Sequence, residues 1–399
     1  MIPTVQIATG YFDWFSGYQE IGLARALSQH AHVRVLAGDR VNPIFSDQHL
    51  ADIGINRRYP TGTTREQGVE VTRVRTVERG SMLWSSDAIR YYRRSTSDLT
   101  IQVMPGQILP ALASVGPRRG TRVALYGDNA AMYATLSPWQ ARTKLLAFGV
   151  SKGLLYRLVN ARSTASYGYT PNTITRLKFT TGKTTMELLP LAYDDTVFTV
   201  SPQARLEIRR RHSFGDRDTV IVAAGKIQPQ KRLDVLVESV AQLLPTHPGL
   251  RLMIVGMDQS TVARELERQV HDRGLGSVTR FLPFVGAQEL NEIFNAADLG
   301  VWPAMPAITI QQAMGTGLRV LVPENDLVSH LVRSAVSGST YRPSATDAGP
   351  LTGALADCLA SAPALGDRRA TAAANSWLST SAVADRLLSL IPRANLSRA

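Results

Sequence analysis

One stretch constrains this chain more than any other: Thr219 to Leu244, TVIVAAGKIQPQKRLDVLVESVAQLL. Val220 to Ala224 is a short apolar run of the kind a fully buried strand shows. Gly225 ends the run, and Lys226-Ile-Gln-Pro-Gln-Lys231 forms a loop. A helix is predicted next, because Leu233, Leu236, Val237, Val240 and Leu244 fall on one face at helical spacing. A basic loop between a strand and a helix has two readings. The helix amino end offers unpaired N–H groups and partial positive charge, so with two lysines the turn suits an anion. A solvated basic loop accounts for the same residues equally well.

The same residues carry a resemblance. A strand, Gly-Lys, a short loop with Pro, a second Lys and then Asp-Val-Leu resembles the donor-diphosphate loop of glycosyltransferase family 4. The resemblance implies an α/β chain of the GT-B fold, two Rossmann-like domains whose parallel sheets face an interdomain cleft. It also implies transfer of a sugar from a nucleotide donor. In that family a basic residue after the glycine and a lysine five positions later hold the donor phosphates. Lys226 and Lys231 occupy those positions here.

A chain of 399 residues is long enough for two domains of ordinary size. Its 44% hydrophobic content is that of a soluble globular protein. No run approaches the roughly 20 apolar residues of a membrane span. The opening MIPTVQIATGYF has no basic segment and reads as a first strand rather than a signal peptide. Cys358 is the only cysteine, which excludes intramolecular disulfides and cysteine-rich metal sites. A cytoplasmic location is expected.

The formal charge of +12 leaves nucleic acid, anionic membrane and phosphorylated substrates open as partners. Between Asp128 and Glu187 there is no acidic residue but eight Lys or Arg. Within that stretch, Arg142 to Arg162 has a basic amphipathic helix pattern. Such a helix could lie on an anionic membrane surface, or pack inward with a solvated basic face. There is no nucleic-acid module, zinc-finger spacing or basic-aromatic repeat, so nucleic acid is not an expected partner.

In chain order, residues 4–9 read as a strand, Gly10 to Gly17 as a loop, and a helix begins near Tyr18. His32 to Gly38 is a second strand, so a parallel sheet with crossover helices is expected. In the resembled family the first loop approaches donor and acceptor and carries paired glycines. Here only Gly17 stands at the mouth of the helix, as a ligand-approach residue or a simple turn. Trp14 and Tyr18, with Phe15, could line an acceptor pocket or simply pack.

Further strands are predicted at Val69 to Val74, Asp98 to Met104 and Arg122 to Tyr126. The last runs into Gly127-Asp128-Asn129. Residues just beyond strand carboxyl ends line the ligand crevice of open α/β sheets, which makes Asp128 a site candidate. A helix cap is the alternative. Family members often carry a histidine at this strand end, near the reacting sugar. None of the seven histidines follows a matching strand, and Asp128 is the nearest titratable group.

Leu188 to Phe198 resembles the family's interdomain segment. Pro190, Asp194 and Phe198 are retained, and Leu191 and Ala192 replace Asn and Gly. The expected domains are 1–190 on the acceptor side and 191–375 for the nucleotide sugar. Residues 376–399 would form a terminal helix, from Ser376-Trp377-Leu378 onward, that crosses back to the first domain. The second domain repeats the alternation, with strands at 220–224, 251–255, 278–282 and 299–302. Helices are expected near 233–244, 260–273 and 287–296. Gly256 follows its strand at the crevice edge, and Phe284-Val285-Gly286 resembles the loop that holds the base. No GxGxxG follows the first strand, so no dinucleotide cofactor is expected. The nucleotide sugar would be a substrate.

Gln312-Ala-Met-Gly-Thr-Gly317 resembles the family's Glu-Ala-Met-Ala-x-Gly block. The family has two glutamates here, eight positions apart, one at the donor sugar and one at the ribose. Ala304 and Gln312 stand in their places. Gln312 can still hydrogen-bond a ribose, without charge. Ahead of it, the N–H groups of Ile308 and Thr309 and the Thr309 hydroxyl can face a phosphate at a helix start.

As the glycosidic bond breaks, the leaving diphosphate gathers charge that lysines and a helix amino end can stabilise. The resemblance implies retention, with the leaving phosphate taking the acceptor's proton and no metal. The sequence shows no metal-ligand cluster and no carboxylate pair at hydrolase spacing. The expected enzyme takes a UDP- or GDP-sugar to a hydroxyl of a glycan, lipid-linked or small-molecule acceptor. The missing glutamates keep two alternatives open. One is a catalytically impaired partner or regulator. The other is a nucleotide-sugar epimerase or hydrolase on the same fold.

Overall fold

The structure, a computed structural model, describes residues 2–43, 45, 47–79, 82–128, 138–181, 185–344, 347–360 and 367–392. It divides into two compact units, Met1–Pro190 with Thr380–Ala399, and Leu191–Ser379.

The first unit opens with β1 (Thr4–Ala8), α1 (Gln19–Ser28), β2 (His32–Gly38), α2 (Asp47–Asp52), β3 (Gly62–Glu66) and β4 (Val69–Val74). It continues through β5 (Val77–Arg79), β6 (Met82–Trp84), α3 (Ser86–Arg94), β7 (Leu99–Val103) and β8 (Thr121–Tyr126). Then come α4 (Pro138–Arg162), β9 (Ala165–Gly168), α5 (Pro171–Thr181) and β10 (Glu187–Leu188). Eight strands form one sheet in the order β10-β9-β8-β7-β1-β2-β4-β3. Every neighbour is parallel except β3, which runs antiparallel to β4. β7 and β8 are buried along their whole length, as strands covered on both faces must be. The polar GTTRE of β3 is mostly exposed, which suits a sheet edge. β5 and β6 stand apart as a two-stranded antiparallel ribbon.

The second unit contains α6 (Pro202–Arg211), β11 (Thr219–Ala224), α7 (Leu233–Leu243), β12 (Leu250–Met257), α8 (Thr261–Asp272) and β13 (Thr279–Pro283). It goes on with α9 (Ala287–Ala296), β14 (Leu299–Val301), α10 (Ile308–Gly315), β15 (Val320–Pro323), β16 (Gly338–Tyr341), α11 (Gly349–Ala360) and α12 (Arg368–Ala374). Its six strands are all parallel, in the order β13-β12-β11-β14-β15-β16. Strand order reverses between β11 and β14, the switch point where such sheets bind ligands. Alternate residues of β11 enter opposite cores. Val220, Val222 and Ala224 face α9 and α10, whereas Ile221 and Ala223 pack with Leu236, Val237 and Val240 of α7. Ser201 and Ser260 cap α6 and α8, each accepting from a backbone N–H three residues on. Arg205, Arg209 and Arg368 donate to carbonyls at the end of α9, and the first two also pair with Asp298. Guanidinium groups at a helix carboxyl end satisfy its unpaired carbonyls and oppose its dipole.

α13 (Thr380–Leu388) returns to the first unit and packs on α1. Thr121 donates to the Leu390 carbonyl at 3.0 Å, and Arg386 pairs with Glu187 at 2.7 Å. The terminal helix starts later than the sequence suggests. Ser376–Leu378 is a 3-10 turn in the second unit, and extended Ser379 separates it from α13. Asn375 holds that turn in place by accepting from Ser337 and donating to the Met314 carbonyl.

Candidate functional site

The first strand of the second unit, β11, ends at Gly225, whose φ of +130° is rarely open to other residues. A Cβ there would lie 2.8 Å from Lys231 Nζ, 3.7 Å from Thr309 Oγ1 and 3.9 Å from Ala307 Cβ. The Pro229–Lys231 turn therefore folds the lysine back over the strand end, beside the start of α10. Burial pushes the Lys231 ammonium down to about 8. Neither Lys231 nor the exposed Lys226 pairs with a carboxylate among the described residues. Ala307, the residue before α10, gives no side-chain cap, so the first N–H groups of that helix, at Ile308 and Thr309, stay available. A cation and a helix amino end thus converge on Gly225.

Gly256 completes the crowding. Its φ is +109°, and a Cβ on it would sit 2.5 Å from the Gly225 carbonyl oxygen. Behind the turn, Ala223, Ala224, Gly225, Lys231, Trp302 and Met305 line a small pocket.

The Thr309 hydroxyl has a different place from the one expected. It donates to the Ala224 carbonyl at 2.7 Å and accepts from Trp302 Nε1 at 3.1 Å. The indole also reaches Ala224 O at 2.9 Å. With its proton committed to the protein, Thr309 offers an anion its backbone rather than its hydroxyl. Trp302 had no signal in the sequence, because its partner lies 78 residues away. Gln312 is buried on α10 beside Gln311, whose Oε1 has no partner among the described residues. Phe284 and Val285 follow β13, two strands from the switch point, with Phe284 exposed and Val285 packed partly on the core.

In the first unit, β1 and β7 flank the equivalent switch point. Met104 and Ile108 there both adopt positive φ, of 53° and 68°. Left-handed backbone at residues other than glycine is strained and concentrates at functional sites. Gly17, with φ +64°, precedes α1. Trp14 donates to Glu66 and lies edge-on to Phe12 at 4.9 Å. Tyr18 packs with Phe45, Val41 and Leu50. Both aromatics are partly buried in packing contacts.

Asp128 is buried at the end of β8. Tyr156 donates to its Oδ2, and Lys152 Nζ stands 3.4 Å from Oδ1. The helix-cap alternative falls on residues 129–137, outside the described residues. Lys152 and Tyr156 share one face of α4 at i, i+4 spacing, the only signal the sequence held for them. Glu20, in the first turn of α1, is likewise not marked by its local sequence. Burial, aided by the Asp13 charge, pushes its carboxyl up to about 7.

This architecture has known counterparts. A sucrose-phosphate synthase from Thermosynechococcus elongatus superposes with TM-score 0.69 at 16% identity, covering 99% of this chain and 100% of that one. Anabaena Alr3699/HepE, in complex with UDP-glucose, superposes at 0.67 and 16% identity, covering 97% and 98%. The chain therefore has the GT-B fold. Residues 204–370 match the family model for glycosyl transferases group 1. The D-inositol 3-phosphate glycosyltransferase of Geodermatophilus obscurus is 31% identical over 148 residues, 35% of this chain and 33% of that protein. The match thus spans about a third of that relative's length. The likeness to the glycosyl transferases group 1 family thus lies in the second unit.

Proposed function

We propose that the protein is a glycosyltransferase that moves a sugar from a UDP- or GDP-sugar to an acceptor hydroxyl. One observation carries this reading: Lys231, partly desolvated and with no counter-ion among the described residues, meets the amino end of α10 at Gly225. Such preorganised positive charge, aimed where a leaving diphosphate becomes anionic, is commonly the largest catalytic contribution.

In this reading Lys226 approaches the diphosphate from the solvent side, and Ile308 and Thr309 donate their N–H groups. Gly256 lets Gly225 pack close at the donor turn, Phe284 and Val285 border the base, and Gln312 holds the ribose. Ala304 contributes no charge to the sugar. The acceptor oxygen bonds to the anomeric carbon as the carbon–phosphate oxygen bond breaks on the same face. The acceptor's proton passes to the leaving phosphate, which needs no metal ion, and the configuration is retained. Gly17 lets the donor approach the first loop, Trp14 and Tyr18 serve the acceptor side, and Asp128 acts there through Lys152 and Tyr156.

The same reading places the protein in the cytoplasm, with peripheral contact to an anionic membrane. No described helix is long and apolar enough to cross one. On α4, Leu154 and Leu158 are exposed one turn apart with Arg157 between them, which supports contact at the surface.

Calorimetric titration with UDP and GDP tests the donor site. Lys231→Ala should weaken the preferred nucleotide at least tenfold, and unchanged affinity would overturn the proposal. Nucleotide-sugar turnover across an acceptor panel then separates transfer from binding alone and from hydrolysis.

A further inference from the structure

The β5–β6 ribbon presents an outward face that no part of the described chain covers. Val77 is 65% exposed, Trp84 46% and Met82 38%. Val77 lies directly opposite Trp84, and Arg79 opposite Met82. Strand alternation puts Val77 and Arg79 on the same side, and Arg75 stands just before the strand. Arg75 and Arg79 are both exposed, and neither makes an ion pair among the described residues. This face therefore combines three apolar side chains with two unneutralised guanidinium groups and contains no carboxylate.

The inner face explains why the ribbon holds its position. Leu83 is fully buried in the first unit's core, against Ala8, Leu36 and Leu109. Glu78 accepts from Tyr11 at 3.1 Å and pairs with Arg40 at 3.0 Å. Tyr11 lies in the loop after β1 and Arg40 in the loop after β2. The ribbon itself leaves the end of β4. It is therefore pinned at the carboxyl edge of the sheet, where the first unit presents its candidate site residues.

We infer that this outer face docks on a lipid bilayer containing anionic lipid. Tryptophan settles at the headgroup level, where its ring is half in hydrocarbon and its N–H stays wet. Arginine beside it gains from the negative surface potential of anionic lipid. A second copy of the chain is a poorer occupant, because a symmetric contact on this face would gather four arginines with no carboxylate among them. The inference rests on the membrane contact proposed above and gives the ribbon, rather than α4, the main part in it.

The test is co-sedimentation of the full chain with phosphatidylcholine vesicles, with and without phosphatidylglycerol. Wild-type protein should bind only the mixed vesicles. Trp84→Glu, and separately Arg75→Glu with Arg79→Glu, should lower partitioning at least tenfold, and Trp84→Tyr should recover most of it. The double arginine variant, altered only at exposed positions, should keep the wild-type melting temperature and guards against misfolding of the first. Failure of wild-type protein to bind overturns the membrane contact as a whole. Wild-type binding that survives the ribbon variants but falls with Leu154→Glu overturns the ribbon assignment alone. A concentration-dependent dimer abolished by Trp84→Glu would give the face to a second copy and overturn the bilayer.

Discussion

Thr309 donates its hydroxyl proton to the carbonyl of Ala224 at 2.7 Å, tying the start of α10 to the end of β11. The Trp302 indole N–H supports the same oxygen. The two side chains hold the strand end from which Gly225 turns, and hence the place where Lys231 sits. Thr309→Val leaves the indole as the only side-chain donor to that carbonyl among the described residues. A lost buried hydrogen bond typically costs about 1 kcal/mol, and that is the expected drop in unfolding free energy. Diphosphate affinity should fall with it, and Thr309→Ser should restore both. Denaturant unfolding and calorimetry on the three proteins check this.

Lys231 gives a pH signature. Its pKa near 8 lies below that of an unfolded lysine, because burial penalises the charge. Between those values the unfolded chain binds more protons, so this group makes the ligand-free protein more stable as pH rises above about 8. Nucleotide diphosphate binding has the opposite trend, since it needs the ammonium. Affinity should hold up to pH 7 and then fall, approaching about tenfold per pH unit above the pKa. Lys231→Arg stays charged throughout and should flatten that slope.

Gly256→Ala combines two penalties, a left-handed backbone and a Cβ 2.5 Å from the Gly225 oxygen. Because that neighbour is backbone just past the end of an inner strand, held by its N–H bond to the Val255 carbonyl, it cannot swing aside. The expected loss is about 2 kcal/mol or more. If the protein still folds, nucleotide affinity should drop, because the strand ends are forced apart. A melting curve with and without UDP reads both effects.

Glu20 carries a carboxyl whose pKa, near 7, exceeds its unfolded value through burial and the Asp13 charge. The folded chain therefore binds more protons between the two values, and stability from this group falls as pH rises through that window. Above pH 7 the penalty is fully present. Glu20→Gln should raise the melting temperature at pH 8 and leave it nearly unchanged at pH 5.

The strand, glycine and helix around Lys231 were legible because buried strands and amphipathic helices write their periods locally. Leu233, Leu236, Val237 and Val240 are all buried, as their spacing predicts. What escaped was long in sequence or short in structure. Thr309 and Ala224 are 85 residues apart, so nothing near Thr309 hinted that its proton was taken. The ribbon's three-residue strands are too brief for an alternation signal. The strand end marks the position of Asp128, but Lys152 and Tyr156 lie on a helix whose contact with that carboxylate only the fold reveals. The break at Ser379 depends on Asn375 holding distant groups, Ser337 and Met314, and left no mark in the helical pattern.

The return of α13 to α1 has a consequence for biosynthesis. A nascent chain leaving the ribosome delivers all ten strands of the first unit, and then the whole of the second, before the helix that closes the first. The middle of the polypeptide can settle while its beginning still waits with the α13-facing side of α1 bare. Premature termination before Thr380 would thus injure the end of the molecule that was made earliest.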